Sequence, residues 1–248
     1  INGTITLNDI DGNNGDITVE GTNFTVGGSG TLSSTSESLL FDQSFTGGAG
    51  QTRAMVIGNS SNALANLAKI RLAANGGTLQ IPECTTKNIF NTDSGGTTQA
   101  TGDLTITTEL EVASGTTFNA NGNTISCKEV DVNDGTLNLS NSTMSFYTQT
   151  SDEFNLTSDS TLTTGNTTLT GYSAASPTNM YCPDTGSAGN FEVVGDVSNF
   201  KLQGLSDLTV IGSVTDCTMA TSTAIIRQWH HTLDTQQLLD ADSAGDDD

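Results

Sequence analysis

The chain has 248 residues, enough for one large all-β domain or two modest ones. Asp and Glu number 28 against 7 Lys and Arg, a formal charge of −21 that repels nucleic acid and anionic lipid, so DNA, RNA and membrane-surface roles are excluded. Only 33% of residues are hydrophobic and 5% aromatic, so a folded state requires regular placement of few apolar side chains.

No window reaches the roughly 18 apolar residues of a membrane span, and no charged-then-apolar signal opens the chain. The first residue is Ile1 rather than Met, from which we expect either processing or a longer product. The composition, poor in Lys and rich in Thr, Asn, Ser and Gly, fits an extracellular or particle-bound β protein.

Residues 1–50 read as a small β-hairpin or docking region. Ile5 and Leu7, Ile17 and Val19, and Phe24 and Val26 alternate with polar residues, and Asn13-Asn14-Gly15 and Gly27-Gly28 supply turns. Residues 51–76 read as a linker and a helix. Asn59-Ser60-Ser61 offers N-caps, Leu64, Leu67, Ala68 and Leu72 fall at helical spacing, and Asn75-Gly76-Gly77 can end the helix. Thr78-Leu79-Gln80-Ile81 then alternates as a strand.

From about residue 100 the chain repeats. Leu110-Glu111-Val112 is answered by Val130-Asp131-Val132 and by Phe154-Asn155-Leu156, at steps of 20 and 24 residues. The segments ending in Ile125, Met144 and Leu169 form a second echo, and Phe191, Phe200, Leu208 and Cys217 open looser ones. A period of 20–25 residues holding several very short strands and no helix fits the coil of a β-helix. We therefore expect an all-β protein: a right-handed parallel β-helix over residues 77–229, capped by the short helix, preceded by the small β region and followed by an acidic tail or linker at 230–248. An antiparallel β-sandwich or jelly roll is the alternative.

The run from Asn62 to Pro82 resembles the start of pectin-lyase-like parallel β-helix proteins of the phage tailspike and fibre type. There a short amphipathic helix, a Gly-Gly turn and an apolar strand ending in Pro open the solenoid. Glu83-Cys84-Thr85 departs from that pattern just after Pro82, which loosens the link to the enzymes of the group more than to its fold. The texture of the chain is also similar to virion structural proteins of marine tailed phages. The resemblance implies a homo-oligomer, a trimer or a lattice, in contact with other virion proteins and with surface glycans.

The candidate chemistry is an acidic ladder. If Leu110, Val130 and Phe154 point inward, then Glu109, Glu129 and Glu153 form one outward column, and Glu111, Asp131 and Asn155 another. Carboxylates one coil apart are separated by about 5 Å, the spacing used by retaining glycosidases. Glu109, Glu111, Glu129 and Asp131 are also the candidate ligands for Ca²⁺, the one cofactor considered. The simpler reading is a solvated acidic face, because Lys128 is the only nearby base and neither an Arg nor an aromatic platform is evident in these coils.

Other candidates are weaker. Asp9 to Asp16 approaches a calcium loop but has Asn14 where Gly belongs. Cys84, Cys127, Cys182 and Cys217 match no zinc spacing; Cys127 and Cys217 read as inward, whereas Cys84 and Cys182 read as loop residues that could pair. His230 and His231 are adjacent and so face opposite ways on a strand. The expectation is a non-enzymatic virion-surface or extracellular protein, a capsid decoration or a fibre segment. A bacterial adhesin or filament subunit is the second expectation, and a polysaccharide lyase or hydrolase the third.

Overall fold

The computed structural model describes residues 4–7, 17–19, 23–34, 38–42, 50–58, 61–73, 77–91, 95–147, 153–157, 159–182, 191–204, 207–220, 224–232 and 235–239. The described structure is all-β and contains no helix. Every pairing between strands is parallel except the closing hairpin of Ile225–Thr232 with Thr235–Leu239. Parallel neighbours 17–31 residues apart in sequence make a β-solenoid, in which each coil lays strands on the coil before it.

Three faces follow from the pairings. The first is a seven-stranded sheet in the order Thr161–Thr163, Thr136–Asn138, Thr117–Asn119, Thr97–Ala100, Thr78–Ile81, Thr52–Ile57, Asn23–Val26. The second and third faces are the two halves of long strands such as Thr124–Val132, whose first half pairs with Thr143–Phe146 and second half with Glu153–Leu156. Exposure along Thr124–Val132 alternates, except that Lys128 and Glu129 are both turned outward. That loss of phase is the corner between the two faces. Leu104–Val112 turns the same corner with Thr107, Thr108 and Glu109, and its register shifts there.

The interior consists of columns. Leu39, Ile70, Ile89, Leu110, Val130, Phe154, Met180 and Leu202 stand in successive rungs of the third face, each paired with the next. Leu104, Ile125, Met144, Leu169 and Val197 do so on the second. All of these are buried, and each contributes roughly 1.5–3 kcal/mol of transfer free energy, which an isolated coil could not realise. Phe146, Phe154 and Phe200 meet inside at ring separations of 5.7–6.4 Å.

The corners are closed by residues that tolerate left-handed backbone. Asn121, Asp134, Asn141, Asn166, Asn199 and Asp216 all have φ between 52° and 61°. Their neighbours tie one coil to another: Asn123 Nδ2 donates to the carbonyls of Ala120 and Ala100 at 2.9 and 3.1 Å. Thr157 Oγ1 donates to Asp134 Oδ1 at 2.6 Å.

Two expectations are corrected. The segment read as a capping helix is not helical: residues 61–68 run through turns and bends, and Lys69–Ala73 is a strand paired with Ser38–Asp42 and with Cys84–Asn91. Leu64, Leu67, Ala68 and Leu72 are buried as the apolar pattern required. They reach the interior because the chain turns between Leu64 and Leu67, with Leu67 N donating to Leu64 O, and then continues at strand period. The N-terminal strands are likewise not hairpins. Thr4–Leu7 pairs in parallel with Thr31–Ser34, Ile17–Val19 with Ser38–Asp42, and Asn23–Val26 with Thr52–Ile57. The solenoid pairing therefore extends back through the region expected to stand apart from it.

Candidate functional site: an acidic face of the solenoid

On the third face the outward residues form the two predicted columns. Glu109 pairs with Glu129, and Glu111 with Asp131, which pairs in turn with Asn155. Glu153 precedes Phe154, the partner of Val130, and so continues the first column; Asn179 is its next neighbour. Paired residues stand about 4.8 Å apart in the sheet. Four carboxylates thus share two adjacent rungs.

That crowding changes their acidity. Partial burial, then the charges of Asp131, Glu129 and Glu111, push the Glu109 carboxyl up to about 7, and a side-chain hydrogen bond to Asp131 acts in the same direction. Glu111 is raised as well, by burial first and by Asp131 second. Glu109 therefore exchanges its proton near neutral pH, one rung from Asp131.

The same columns hold residues that the sequence did not bring forward. Arg71 pairs with Phe90, Phe90 with Glu111, and Asn155 with Tyr181, so one column reads Arg71, Phe90, Glu111, Asp131, Asn155, Tyr181. The neighbouring rungs thus bring an Arg and two aromatic residues into line with Glu111 and Asp131. Lys69 Nζ stands 5.9 Å from the Phe90 ring centroid. The only signal available beforehand was the register of two further coils, which irregular connections hide.

Among the described residues, no three His, Cys, Asp or Glu side chains converge to hold a metal ion. Glu109, Glu111, Glu129 and Asp131 are ranged along two columns, a pair in each, and could offer Ca²⁺ oxygens only from one side. The calcium-like loop from Asp9 to Asp16 lies outside the described residues, as do the tail from Asp240 and the side chains of His230 and His231.

All four cysteines are free thiols, and Cys84, Cys127 and Cys182 are buried. Cys127 points inward as expected. Cys84 is no loop residue: it begins strand Cys84–Asn91 and pairs with Leu104. Burial, with a smaller contribution from Glu83, pushes its thiol up to about 12, and burial raises Cys182 and Cys217 too. Buried and held protonated, these thiols are poor nucleophiles at neutral pH.

The fold and face together define a parallel β-solenoid with a carboxylate-rich third face. No protein-family model, curated protein or solved structure matches the chain.

Proposed function

We propose that this solenoid is a structural, surface-displayed protein of a tailed-phage particle, a capsid decoration or fibre segment, acting in display and adhesion. The observation that carries the reading is the unbroken register of the interior columns through eight rungs of the third face. Such stacking yields a rod whose stiffness comes from continuous parallel sheet, with its charge directed outward. Acidity of −21 keeps closely packed copies soluble. Antibody raised against the chain, applied to purified particles and to cells from the same source, tests it. Gold label on particle surfaces is the expected result; label confined to the cell envelope supports the adhesin reading instead.

A second reading rests on a particular observation: Glu109, its carboxyl pushed up to about 7, lies beside the column in which Glu111 and Asp131 stand between Phe90 and Tyr181. An acid held near pH 7 beside a carboxylate, with aromatic rings along the same line, is suited to polysaccharide hydrolysis or lysis. Release of reducing ends from acidic or neutral polysaccharides, lost in Asp131→Asn, would establish it.

A further inference from the structure

The first face differs from the acidic third face. Its outward column Thr52, Thr78, Thr97, Thr117, Thr136, Thr161 is threonine in six successive rungs, each paired with the next. A parallel column two residues further along each strand carries side-chain amides at its centre: Gln80, Gln99, Asn119 and Asn138, in register. Gln80 Nε2 donates to Gln99 Oε1 at 3.1 Å, which aligns the amides along the column.

Three properties set this face apart from the third. None of its outward residues from Asn23 to Thr163 carries a charge, although the whole protein bears −21. The one cation in its strands, Arg53, is turned inward and fully buried. The pairings from Thr52 to Thr163 run without a register shift, whereas Leu104–Val112 shifts at the corner of the other faces. The result is a two-dimensional lattice, repeating about every 4.8 Å along the solenoid and about 6.6 Å along the strand.

A neutral lattice of hydroxyls and amides suits a ligand that is itself periodic, uncharged and hydrogen-bonding. Sugars bound to proteins usually stack on aromatic rings, and the aromatic side chains of these strands, Phe24 and Phe118, pack against or within the core. Ordered water needs no ring. The rung spacing of about 4.8 Å is near one repeat of the oxygen rows in hexagonal ice, and each threonine offers a hydroxyl that can enter that network beside a methyl group that excludes disordered water. We propose that the first face binds ice, with the Thr52–Thr161 column and its amide neighbour as the contact surface. This holds whichever particle or cell displays the protein.

The test is the gap between melting and freezing of a single ice crystal in solutions of the intact chain, with inhibition of recrystallisation as a second readout. The wild-type chain is expected to shape the crystal and open a gap. Thr117→Tyr with Thr136→Tyr, which breaks the lattice without touching the interior, should reduce the gap several-fold at an unchanged melting temperature. Ser145→Tyr, on the outward hydroxyl column Thr105, Ser126, Ser145, Thr170 of the second face, should leave it intact. Thr117→Arg serves the same purpose should the double variant fold poorly. A wild-type chain that neither shapes ice nor slows recrystallisation overturns the proposal. So does equal loss in Ser145→Tyr, or a dimer that the Thr117 and Thr136 variants dissociate, since a second copy would then be the occupant of this face.

Discussion

Glu109 keeps its proton to about pH 7 because folding partly removes its carboxyl from water and sets it beside Asp131, Glu129 and Glu111. In the unfolded chain an ordinary glutamate releases that proton near pH 4.3. Between those values the folded state holds more protons than the unfolded one, so stability falls as pH rises through the interval. Below it Glu109 is neutral in both states and costs nothing; above it the folded chain carries the full repulsion. Glu111 is raised in the same direction and adds to the slope. Glu109→Gln should therefore melt higher than wild type at pH 8, match it near pH 4, and flatten the decline between. Melting temperatures of both proteins across pH 4–8 check this, and identical slopes would mean that another group is titrating.

Gly195 shows how closely the coils approach. Its φ is +146°, and a Cβ there would lie 1.9 Å from the carbonyl oxygen of Thr167, its partner in the preceding rung. Gly212 repeats the arrangement one rung on, 1.9 Å from Gly195 O. The contact is backbone against backbone, so a side chain cannot turn aside. Gly195→Ala should separate residues 191–220 from the rest of the solenoid. Limited proteolysis is expected to remove the C-terminal coils of this variant while the core ending near Thr170 survives.

At the scale of an element, the unit is the coil, and coils should be exchangeable wherever register is kept. Removing residues 117–135 takes out one whole turn: strand Thr117–Asn119, strand Thr124–Val132 and the corner at Asp134. Thr116 would then lead into Thr136, setting Thr136 over Thr97 and Leu137 over Thr98. In a stack where each unit contacts only its neighbours, the loss is one unit's own stability and one interface. The shortened chain should fold with an unchanged circular dichroism shape and melt cooperatively at a somewhat lower temperature; an unfolded product would show that the columns are not interchangeable.

That regularity is what the sequence made legible. Leu110, Val130 and Phe154 pair as their spacing suggested, and so do Ile125, Met144 and Leu169. Apolar residues at period two, re-phased at each corner, leave a clear trace. The same re-phasing misled the reading of residues 59–77. Two inward residues followed by a turn and two more, as at Ala63, Leu64, Leu67 and Ala68, imitate the three- and four-residue spacing of a helix. Only the partners at Ser34 and Asn88, whose side chains bond Ala68 N and Ala68 O at 2.9 and 2.6 Å, decide for the extended form. Of the candidate site, the acidic columns were legible because they flank well-marked apolar positions. Phe90, Arg71 and Tyr181 were not, because connections of unequal length hide which rung they join.

For the whole molecule, the dominant electrostatic fact is that −21 charges are distributed over a stacked fold. Stacking places acidic neighbours about 4.8 Å apart, well inside the Debye length of about 30 Å at 0.01 M salt and comparable to the 3 Å reached near 1 M. In dilute buffer these charges repel one another within the rod, and unfolding relieves the repulsion by separating the coils. Sodium chloride should therefore raise the melting temperature across 0.01–1 M, each 1 kcal/mol of screened repulsion being worth roughly 2–4 °C for a chain of this size. The rise should be smaller in Glu109→Gln at pH 8, where one charge of the crowded rung pair is gone. Chloride is the proper salt, since sulfate would strengthen apolar burial regardless of charge. A melting temperature that stays flat or falls with chloride would show that favourable ion pairs such as Asp207 with Arg227 outweigh the crowding of like charges on the third face.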